Sequence, residues 1–220
     1  MLYRSIRDDM VEVISMVDRI TLSKFQLDAL VEVGNIGMGH AANSLSKMLT
    51  RKVQMTVPYI NFLPVERLTD MFGNVEALVA GVYLEVTGDA RGKVLLLFPR
   101  DSALALADII MNREVGSTTI LSQIDQSALM EVGNILIGSY LTALNDFTGL
   151  KLRQSVPKLA FDMIGAVMDF LIIEISSVAE EALVIETQLT EPSNKIKGYV
   201  IFLFDPGSPE LILKALGVDK

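Results

Sequence analysis

The sequence predicts an α+β fold in which a unit of helix, strand, helix, hairpin and helix occurs twice and shares one mostly antiparallel sheet. Three observations predict it. Residues 32–58 return at a constant offset of 99 with ten identities in 27 positions, where chance would give about two. The same order of predicted elements follows each copy. No linker separates the two halves, so a shared core is expected.

The first repeat, about residues 21–113, is predicted from hydrophobic periodicity and from residues that end helices or form turns. Thr21 or Ser23 caps a long helix that ends near Thr50. A strand rich in β-branched and aromatic residues follows, and Pro58 within it indicates an edge strand or a bulge. The elements after the long helix are the strand over 53–62, a short helix over 64–71, a hairpin of strands 77–87 and 93–98, and a helix over 101–112 capped by Asp101.

The second repeat, about residues 120–216, is predicted to follow the same order. Residues 113–122 are the only candidate junction, and this segment is short. Residues 21–220 are therefore predicted to form a single domain in which a pseudo-twofold axis relates the two long helices. The elements of this repeat are a helix ending at Phe147, a strand over 152–161, a helix over 164–176, a hairpin of strands 182–188 and 199–204, and a helix over 208–216.

Residues 1–20 are predicted to form an amphipathic helix that has no counterpart in the second repeat. Six apolar side chains recur on one face, with charged residues opposite. We expect this face to pack against the protein itself or against an identical copy, and docking of another partner is the alternative. The apolar face consists of Leu2, Ile6, Met10, Ile14, Val17 and Ile20.

The composition excludes several classes of protein. The 220 residues contain no cysteine and one histidine, His40. Disulfides, thiolate chemistry, and a histidine-based zinc site or serine triad present in both halves are therefore excluded. The net charge of −8 argues against a nucleic-acid-binding protein. No apolar run is as long as a membrane-spanning helix, and no signal peptide is evident, so we expect a soluble, cytoplasmic protein.

Each long helix carries a narrow polar stripe, because residues at i, i+4 and i+7 lie above one another on a helix. The stripe includes a glycine, which costs about 1 kcal/mol relative to alanine inside a helix and lets another chain approach closely. A single Glu-x-x-Asn would be an ordinary solvated helix face. Two copies in register, each followed by a Val-Pro pair at the same distance, indicate a function instead. The stripes consist of Asp28, Glu32, Asn35 and Gly39, and of Ser127, Glu131, Asn134 and Gly138, and the prolines are Pro58 and Pro157.

These side chains suit a reaction in which water attacks an activated phosphoryl group. Phosphoryl transfer depends on positioning and electrostatics more than on covalent chemistry by the protein. An asparagine amide can orient the water, and a neighbouring glutamate can hold a cationic group of the partner. A cation site at Asp28 and Glu32 is less well supported, because Ser127 replaces the aspartate in the second copy.

The spacing Asp/Ser-x-x-x-Glu-x-x-Asn, followed by 22 residues and a proline, resembles the signature of the CheC/CheX/FliY family of chemotaxis phosphatases. The resemblance covers about residues 21–216 and is strongest to the CheC type, which has two motifs and no added flagellar-switch domain. It implies that Glu32 and Glu131 engage the conserved lysine of the response regulator CheY. It implies that Asn35 and Asn134 position the water that hydrolyses the aspartyl phosphate of CheY. The supporting motif residues are Asp28, Ser127, Pro58 and Pro157.

The same resemblance implies the partners and the cofactor. The substrate is phosphorylated CheY, and the receptor deamidase CheD is a second partner. The Mg²⁺ ion of the reaction belongs to CheY, so the chain itself needs no cofactor.

Two functional hypotheses remain open. The first is a phosphatase that acts on phosphorylated CheY at two sites. The alternative is a non-enzymatic chemotaxis adaptor that binds CheD or phosphorylated CheY, and dephosphorylation by substoichiometric amounts of protein distinguishes the two. His40 departs from the family, which often has asparagine there. We interpret His40 as a solvent-facing helix residue, with the alternative that it borders the docking surface.

Overall fold

The computed structural model describes residues 23–68, 74–175, 181–191 and 194–218, and these form five α-helices, seven strands and a 3₁₀ turn. The amphipathic helix predicted over residues 1–20 lies outside the described residues. The helices are α1 (Lys24–Leu49), α2 (Arg100–Ile110), α3 (Gln123–Thr148), α4 (Ile164–Ile175) and α5 (Ser208–Ala215). The strands are β1 (Gln54–Pro64), β2 (Leu78–Gly88), β3 (Gly92–Pro99), β4 (Leu152–Gln154), β5 (Lys158–Met163), β6 (Glu181–Glu191) and β7 (Asn194–Phe204), and the turn is Val65–Arg67.

The two long helices, α1 and α3, begin and end at equivalent positions of the two repeats. Each begins after a serine N-cap whose hydroxyl accepts a hydrogen bond from the backbone N–H three residues on. The side chain of that third residue accepts one in return from the serine N–H, which completes a capping box. Ser23 pairs with Gln26 before α1, and Ser122 pairs with Asp125 before α3. Of the two caps predicted for α1, Thr21 and Ser23, the structure has Ser23.

All seven strands form one antiparallel sheet in the order β1-β6-β7-β3-β2-β4, and β5 also pairs with β2. The last strands of the two repeats, β3 and β7, pair at the centre. The first strand of each repeat pairs with the hairpin of the other repeat, β1 with β6, and β4 and β5 with β2. The repeats are therefore related by a pseudo-twofold axis between β3 and β7. The shared antiparallel sheet is confirmed, and the exchange of first strands is an additional feature.

The Val-Pro pair interrupts the first strand of each repeat. In β1 the pairing with β6 shifts register between Thr56 and Tyr59, so the predicted bulge at Pro58 is present, in an edge strand. In the second repeat the single strand predicted over 152–161 is wrong, because residues 155–157 divide it into β4 and β5. Proline has no N–H to donate to a neighbouring strand, which explains both interruptions.

The helices α1 and α3 pack against each other on one face of the sheet. A β-carbon added at Gly37 of α1 would lie 2.9 Å from the Cα atom of Tyr140 in α3, so this close approach requires glycine. Tyr140 is fully buried, its ring centroid lies 4.8 Å from that of Phe202, and burial raises the pKa of its hydroxyl. The larger hydrophobic core fills the space between this helix pair and the sheet. A smaller core lies on the opposite face, beneath α4.

Two predicted helix boundaries differ from the structure. The helix α2 begins at Arg100 and has Pro99 as its N-cap, so Asp101 lies in the first turn and does not cap the helix. Proline holds φ close to the helical value, and an acidic side chain in the first turn still offsets the helix dipole. The short helix predicted over 64–71 is a 3₁₀ turn of three residues in its described part, because β1 continues to the residue before it.

By length and apolar composition, α3 could cross a membrane, and no other helix among the described residues meets both conditions. About 50% of its apolar window is buried inside the protein. The core helix of a water-soluble protein has the same properties, so α3 is weak evidence for membrane insertion.

Candidate functional site

Both polar stripes lie on the outer surface of the helix pair, as their spacing predicts. The residues that begin the stripes and both glutamates are exposed to solvent. The two asparagines differ, because Asn35 is exposed whereas Asn134 is half-buried. The structure thus groups the predicted residues of each copy on one helix face. The exposed members of the two stripes include Asp28, Glu32, Ser127 and Glu131.

The two helices run antiparallel, so the first repeat contributes to the surroundings of the second site. Gly37 of α1 faces Tyr140 of α3. Further along α1, His40 and Ser44 share a surface groove with Asn134, an earlier residue of α3. His40 is exposed to solvent, as predicted, and it also borders a predicted site residue of the other repeat.

The amide of Asn35 is held by the strand that follows its own helix. The backbone N–H of Val57 donates a hydrogen bond to Asn35 Oδ1 at 3.4 Å. Val57 lies at the register shift in β1, next to Pro58, where the N–H is released from the ladder between β1 and β6. This is a physical reason for the position of the Val-Pro pair in the first repeat. A carbonyl oxygen has two lone pairs, so Asn35 Oδ1 can also accept a hydrogen bond from water.

The amide of Asn134 is held by a side chain instead. Gln154, the last residue of β4, donates from Nε2 to the backbone oxygen of Asn134 at 3.0 Å and also to Asn134 Oδ1. The strand β4 stops at Gln154, before Pro157, and its end lies beside Asn134 of α3. One lone pair of Asn134 Oδ1 remains for a water, as at the first site.

The stripe glycines have different surroundings in the two repeats. A β-carbon added at Gly39 would meet no atom within 4 Å, so no contact with the described residues requires glycine there. A β-carbon added at Gly138 would lie 3.3 Å from Nε2 and 3.4 Å from Oε1 of Gln154. Gly39 therefore leaves room for a partner, whereas Gly138 leaves room for Gln154.

Three of the four supporting motif residues, Ser127, Pro58 and Pro157, contribute to local structure. The hydroxyl of Ser127 donates to the backbone oxygen of Gln123, one turn earlier in α3, at 2.9 Å. Asp28, its counterpart, is exposed. Pro58 lies at the register shift of β1, and Pro157 is half-buried between β4 and β5. The prolines thus shape the strand beside each asparagine.

The charge of the two sites also differs. The first stripe carries the carboxylates of Asp28 and Glu32, and the second carries only that of Glu131, because Ser127 is neutral. Within the described ranges, no three His, Cys, Asp or Glu side chains are grouped so that they could hold a metal ion. The arrangement is suited to binding a cationic group of a protein partner and to orienting a water.

The sequence pattern does not reveal that two residues, Val57 and Gln154, hold the asparagine amides. For Val57 a signal exists, because the Val-Pro pair recurs in both repeats. For Gln154 the comparison of repeats gives no signal, because Met55 occupies the equivalent position. A side chain that holds only one of two duplicated sites does not appear in the motif common to both.

Comparison with known proteins identifies one family and relatives whose names agree with one another. The model of the CheC-like family matches residues 25–61 and 124–160, the two segments that contain the stripes and the Val-Pro pairs. The chain is 39% identical over 196 residues to CheY-P phosphatase CheC of Bacillus subtilis. The aligned region covers 87% of this chain and 94% of that protein. It is 31% identical over 138 residues to the flagellar motor switch phosphatase FliY of Bacillus subtilis. That aligned region covers 62% of this chain and 36% of that protein.

A solved structure has the same fold. The crystal structure of Thermotoga maritima FliY matches with a TM-score of 0.75 and 23% identity. The match covers 91% of this chain and 100% of that chain, so both repeats and the shared sheet are included.

Proposed function

Because the chain belongs to the CheC-like family, we propose that it hydrolyses the aspartyl phosphate of phosphorylated CheY at two sites, one on α1 and one on α3. The observation that carries the proposal is the duplicated stripe. Each copy has an exposed glutamate one turn before an asparagine whose amide oxygen is held by the following strand. The name of the Bacillus subtilis relative, CheY-P phosphatase CheC, supports both the substrate and the assignment as a protein phosphatase.

The glutamates dock the regulator. Glu32 and Glu131 are exposed on the helix surface, so their carboxylates can reach a lysine of a bound protein without being buried first. A charge pair of this kind sets the orientation of the partner and speeds encounter more than it raises affinity. Docking by glutamate would place the phosphoryl group beside the asparagine, which lies one helical turn further along the same face.

The asparagines orient the attacking water. Asn35 Oδ1 or Asn134 Oδ1 accepts a hydrogen bond from the water and directs its oxygen at phosphorus, in line with the aspartyl oxygen. The bond from phosphorus to the new oxygen forms as the bond to the aspartyl oxygen breaks. The aspartate of CheY leaves as a carboxylate. One proton of the water stays on the new oxygen, and the other passes to another oxygen of the phosphate that is released. No covalent intermediate on this chain is required.

We propose that the Mg²⁺ ion of this reaction is bound by CheY and that the chain brings no cofactor of its own. The receptor deamidase CheD is the proposed second partner, and the cytoplasm, where a soluble response regulator acts, is the proposed location. The adaptor function that the sequence leaves open would use the same docking surface without turnover. The two hypotheses differ in stoichiometry, because an adaptor sequesters phosphorylated CheY whereas an enzyme releases it.

The test is phosphate release from an excess of phosphorylated CheY. An enzyme releases many equivalents of phosphate per chain. Asn35→Ala and Asn134→Ala should each lower turnover in part, and the double variant should lose about 10²–10³-fold, because a positioning hydrogen bond is lost at both sites.

The matched control is Asn43→Ala, which removes an exposed asparagine of α1 outside the motif. This variant should retain full turnover. Release of no more than one equivalent per chain would favour the adaptor, and full activity in a folded Asn35→Ala, Asn134→Ala double variant would exclude the mechanism.

A further inference from the structure

Gln154 has a hydrogen-bonding pattern that packing does not explain. Its Nε2 donates to both oxygens of Asn134, and its Oε1 is buried with no hydrogen-bond partner among the described residues. The neighbours determine which end of the Gln154 amide faces Asn134. The backbone oxygen of Asn134 can only accept a hydrogen bond, so the amide nitrogen of Gln154 must point toward it. A buried amide oxygen without a hydrogen-bond partner destabilises the folded protein, because it has lost its hydrogen bonds to water. A methionine of similar length would fill the same space without that cost.

The first repeat has the apolar alternative. Met55 is the equivalent of Gln154, and there the backbone N–H of Val57 bonds Asn35 Oδ1. The two sites therefore hold their asparagines by different donors. At the first site a backbone group donates one long bond, and at the second a side chain donates two.

The surroundings of Gln154 are adapted to it. The glycine of the second stripe, Gly138, lies so close to the Gln154 amide that a β-carbon would press on both of its terminal atoms. The glycine of the first stripe, Gly39, has no comparable neighbour in the described part of the chain. The space at Gly138 is thus matched to a residue that is present only in the second repeat.

We propose that Gln154 is a positioning residue of the second site, which holds the Asn134 amide in the orientation that directs the attacking water, and that no side chain among the described residues does the same at the first site. This inference rests on the function proposed above. Gln154 does not reach the water itself. By donating to Asn134 Oδ1, it leaves one lone pair of that oxygen directed outward and prevents rotation of the amide. Loss of this restraint should lower the rate of the chemical step and leave docking unchanged.

The test isolates the second site by placing all variants in the Asn35→Ala background. Gln154→Met, which copies the first repeat, should lower kcat about tenfold or more. KM should remain within about twofold, because Glu131 still docks the regulator. Gly138→Ala, which pushes on the Gln154 amide while favouring the helix, should lower kcat in the same direction at equal or higher thermal stability.

The matched control is Gln126→Met. Gln126 is also half-buried in the second repeat and also donates from Nε2 to a backbone oxygen, that of Leu121, at 3.3 Å. This variant should keep the kcat of the background. Unchanged kcat in Gln154→Met would overturn the inference, as would an equal loss in Gln126→Met.

A second readout does not depend on activity. In ¹H–¹⁵N spectra of the otherwise native chain, Asn134→Ala should shift the side-chain amide signals of Gln154, since both acceptors are altered or moved, and Asn35→Ala should leave them unchanged. Unshifted Gln154 signals in Asn134→Ala would contradict the contact. If neither asparagine variant alters turnover, the proposed function itself fails. If both do and Gln154→Met does not, only the positioning role of Gln154 fails.

Discussion

In the proposed function, docking of the regulator depends on one glutamate at each site, Glu32 at the first and Glu131 at the second. Replacement by lysine would place two positive charges together where the regulator presents its lysine. Glu32→Lys and Glu131→Lys should each weaken binding at their own site by about tenfold. Added salt should reduce the difference, because the charges are exposed and therefore screened. Calorimetric titration with phosphorylated CheY, carried out in the Asn35→Ala, Asn134→Ala double variant to prevent turnover, measures the two affinities.

The control for charge is Glu76→Lys, which makes the same change at an exposed position before β2. If this variant weakens binding as much as the two stripe variants, the effect is one of net charge, and the assigned docking role is wrong.

Asp108 is a buried carboxylate that holds the junction between the repeats. Burial by itself would raise its pKa. The hydrogen bonds donated by the Thr118 side chain and backbone, the Ser117 hydroxyl and the Gly116 N–H outweigh burial, so the pKa of Asp108 lies below its ordinary value of 3.8. The junction that the sequence presents as a short polar segment is therefore fixed by one side chain of α2.

A lowered pKa in the folded protein predicts how stability depends on pH. The ionised form of Asp108 stabilises the fold above the unfolded pKa, and this contribution is lost as pH falls through the lower folded pKa. Asp108→Asn should lower the free energy of unfolding by about 1–3 kcal/mol at pH 7, because an amide nitrogen would face groups that donate. The difference from the native chain should shrink below about pH 4. Urea unfolding at several pH values, with exposed Asp169→Asn as the control, measures it. A difference independent of pH would contradict the assignment.

Among the elements, the two long helices, α1 and α3, end in different ways although they have equal lengths. The residue after α1 is Thr50, in the left-handed conformation with φ of 52°, and the residue after α3 is Gly149, with φ of 71°. A β-branched residue is strained in this region, whereas glycine is not. The first helix therefore carries a strain at its C-terminus that the second does not.

Thr50→Gly should stabilise the protein by about 0.5–1 kcal/mol, because removal of the strain exceeds the added flexibility of the unfolded chain. The reciprocal variant, Gly149→Thr, should destabilise it by about 1 kcal/mol. Thermal unfolding followed by circular dichroism measures both. Destabilisation by Thr50→Gly would mean that its side chain makes a contribution that outweighs the strain.

At the scale of the whole molecule, the exchange of first strands ties the two repeats together. The strand β1 completes the half of the sheet formed by β6 and β7, and β4 and β5 complete the half formed by β2 and β3. Neither repeat alone can place its first strand as the whole protein does. Each would also expose the face of its long helix that packs on the other helix.

We therefore expect fragments 1–119 and 120–220 to be unstable separately and to reassemble when mixed. The division falls after the segment held by Asp108 and next to Ile120, which is 82% exposed, so few contacts are cut. Urea unfolding of each fragment and of the equimolar mixture, with light scattering to count chains, tests this. Two fragments that each unfold cooperatively at the urea concentration of the intact chain would show independent domains.

Much of this molecule is determined by its sequence alone. Capping residues and hydrophobic periodicity are local signals, and they specify where the first long helix, α1, begins and ends to within one or two residues. The duplication at an offset of 99 indicates a shared fold and places the glutamates and asparagines on equivalent helix faces. The bulge at Pro58 follows from the missing N–H of proline, whatever the neighbouring strand. The domain limits and the helix over residues 1–20 stay predictions.

Only the tertiary structure shows which elements lie next to each other, because the two repeats offer equivalent strands and helices as neighbours. The strands β2 and β6 occupy equivalent positions in the two repeats and have the same alternation of apolar residues. Hydrophobic periodicity therefore does not show whether β1 pairs with β2 or with β6. The groove that joins His40 to Asn134 exists because the two helices cross antiparallel at Gly37. Gln154 holds Asn134 because β4 ends beside the helix that precedes it, α3, and a hydrogen bond between residues 20 positions apart leaves no periodic signal in the sequence.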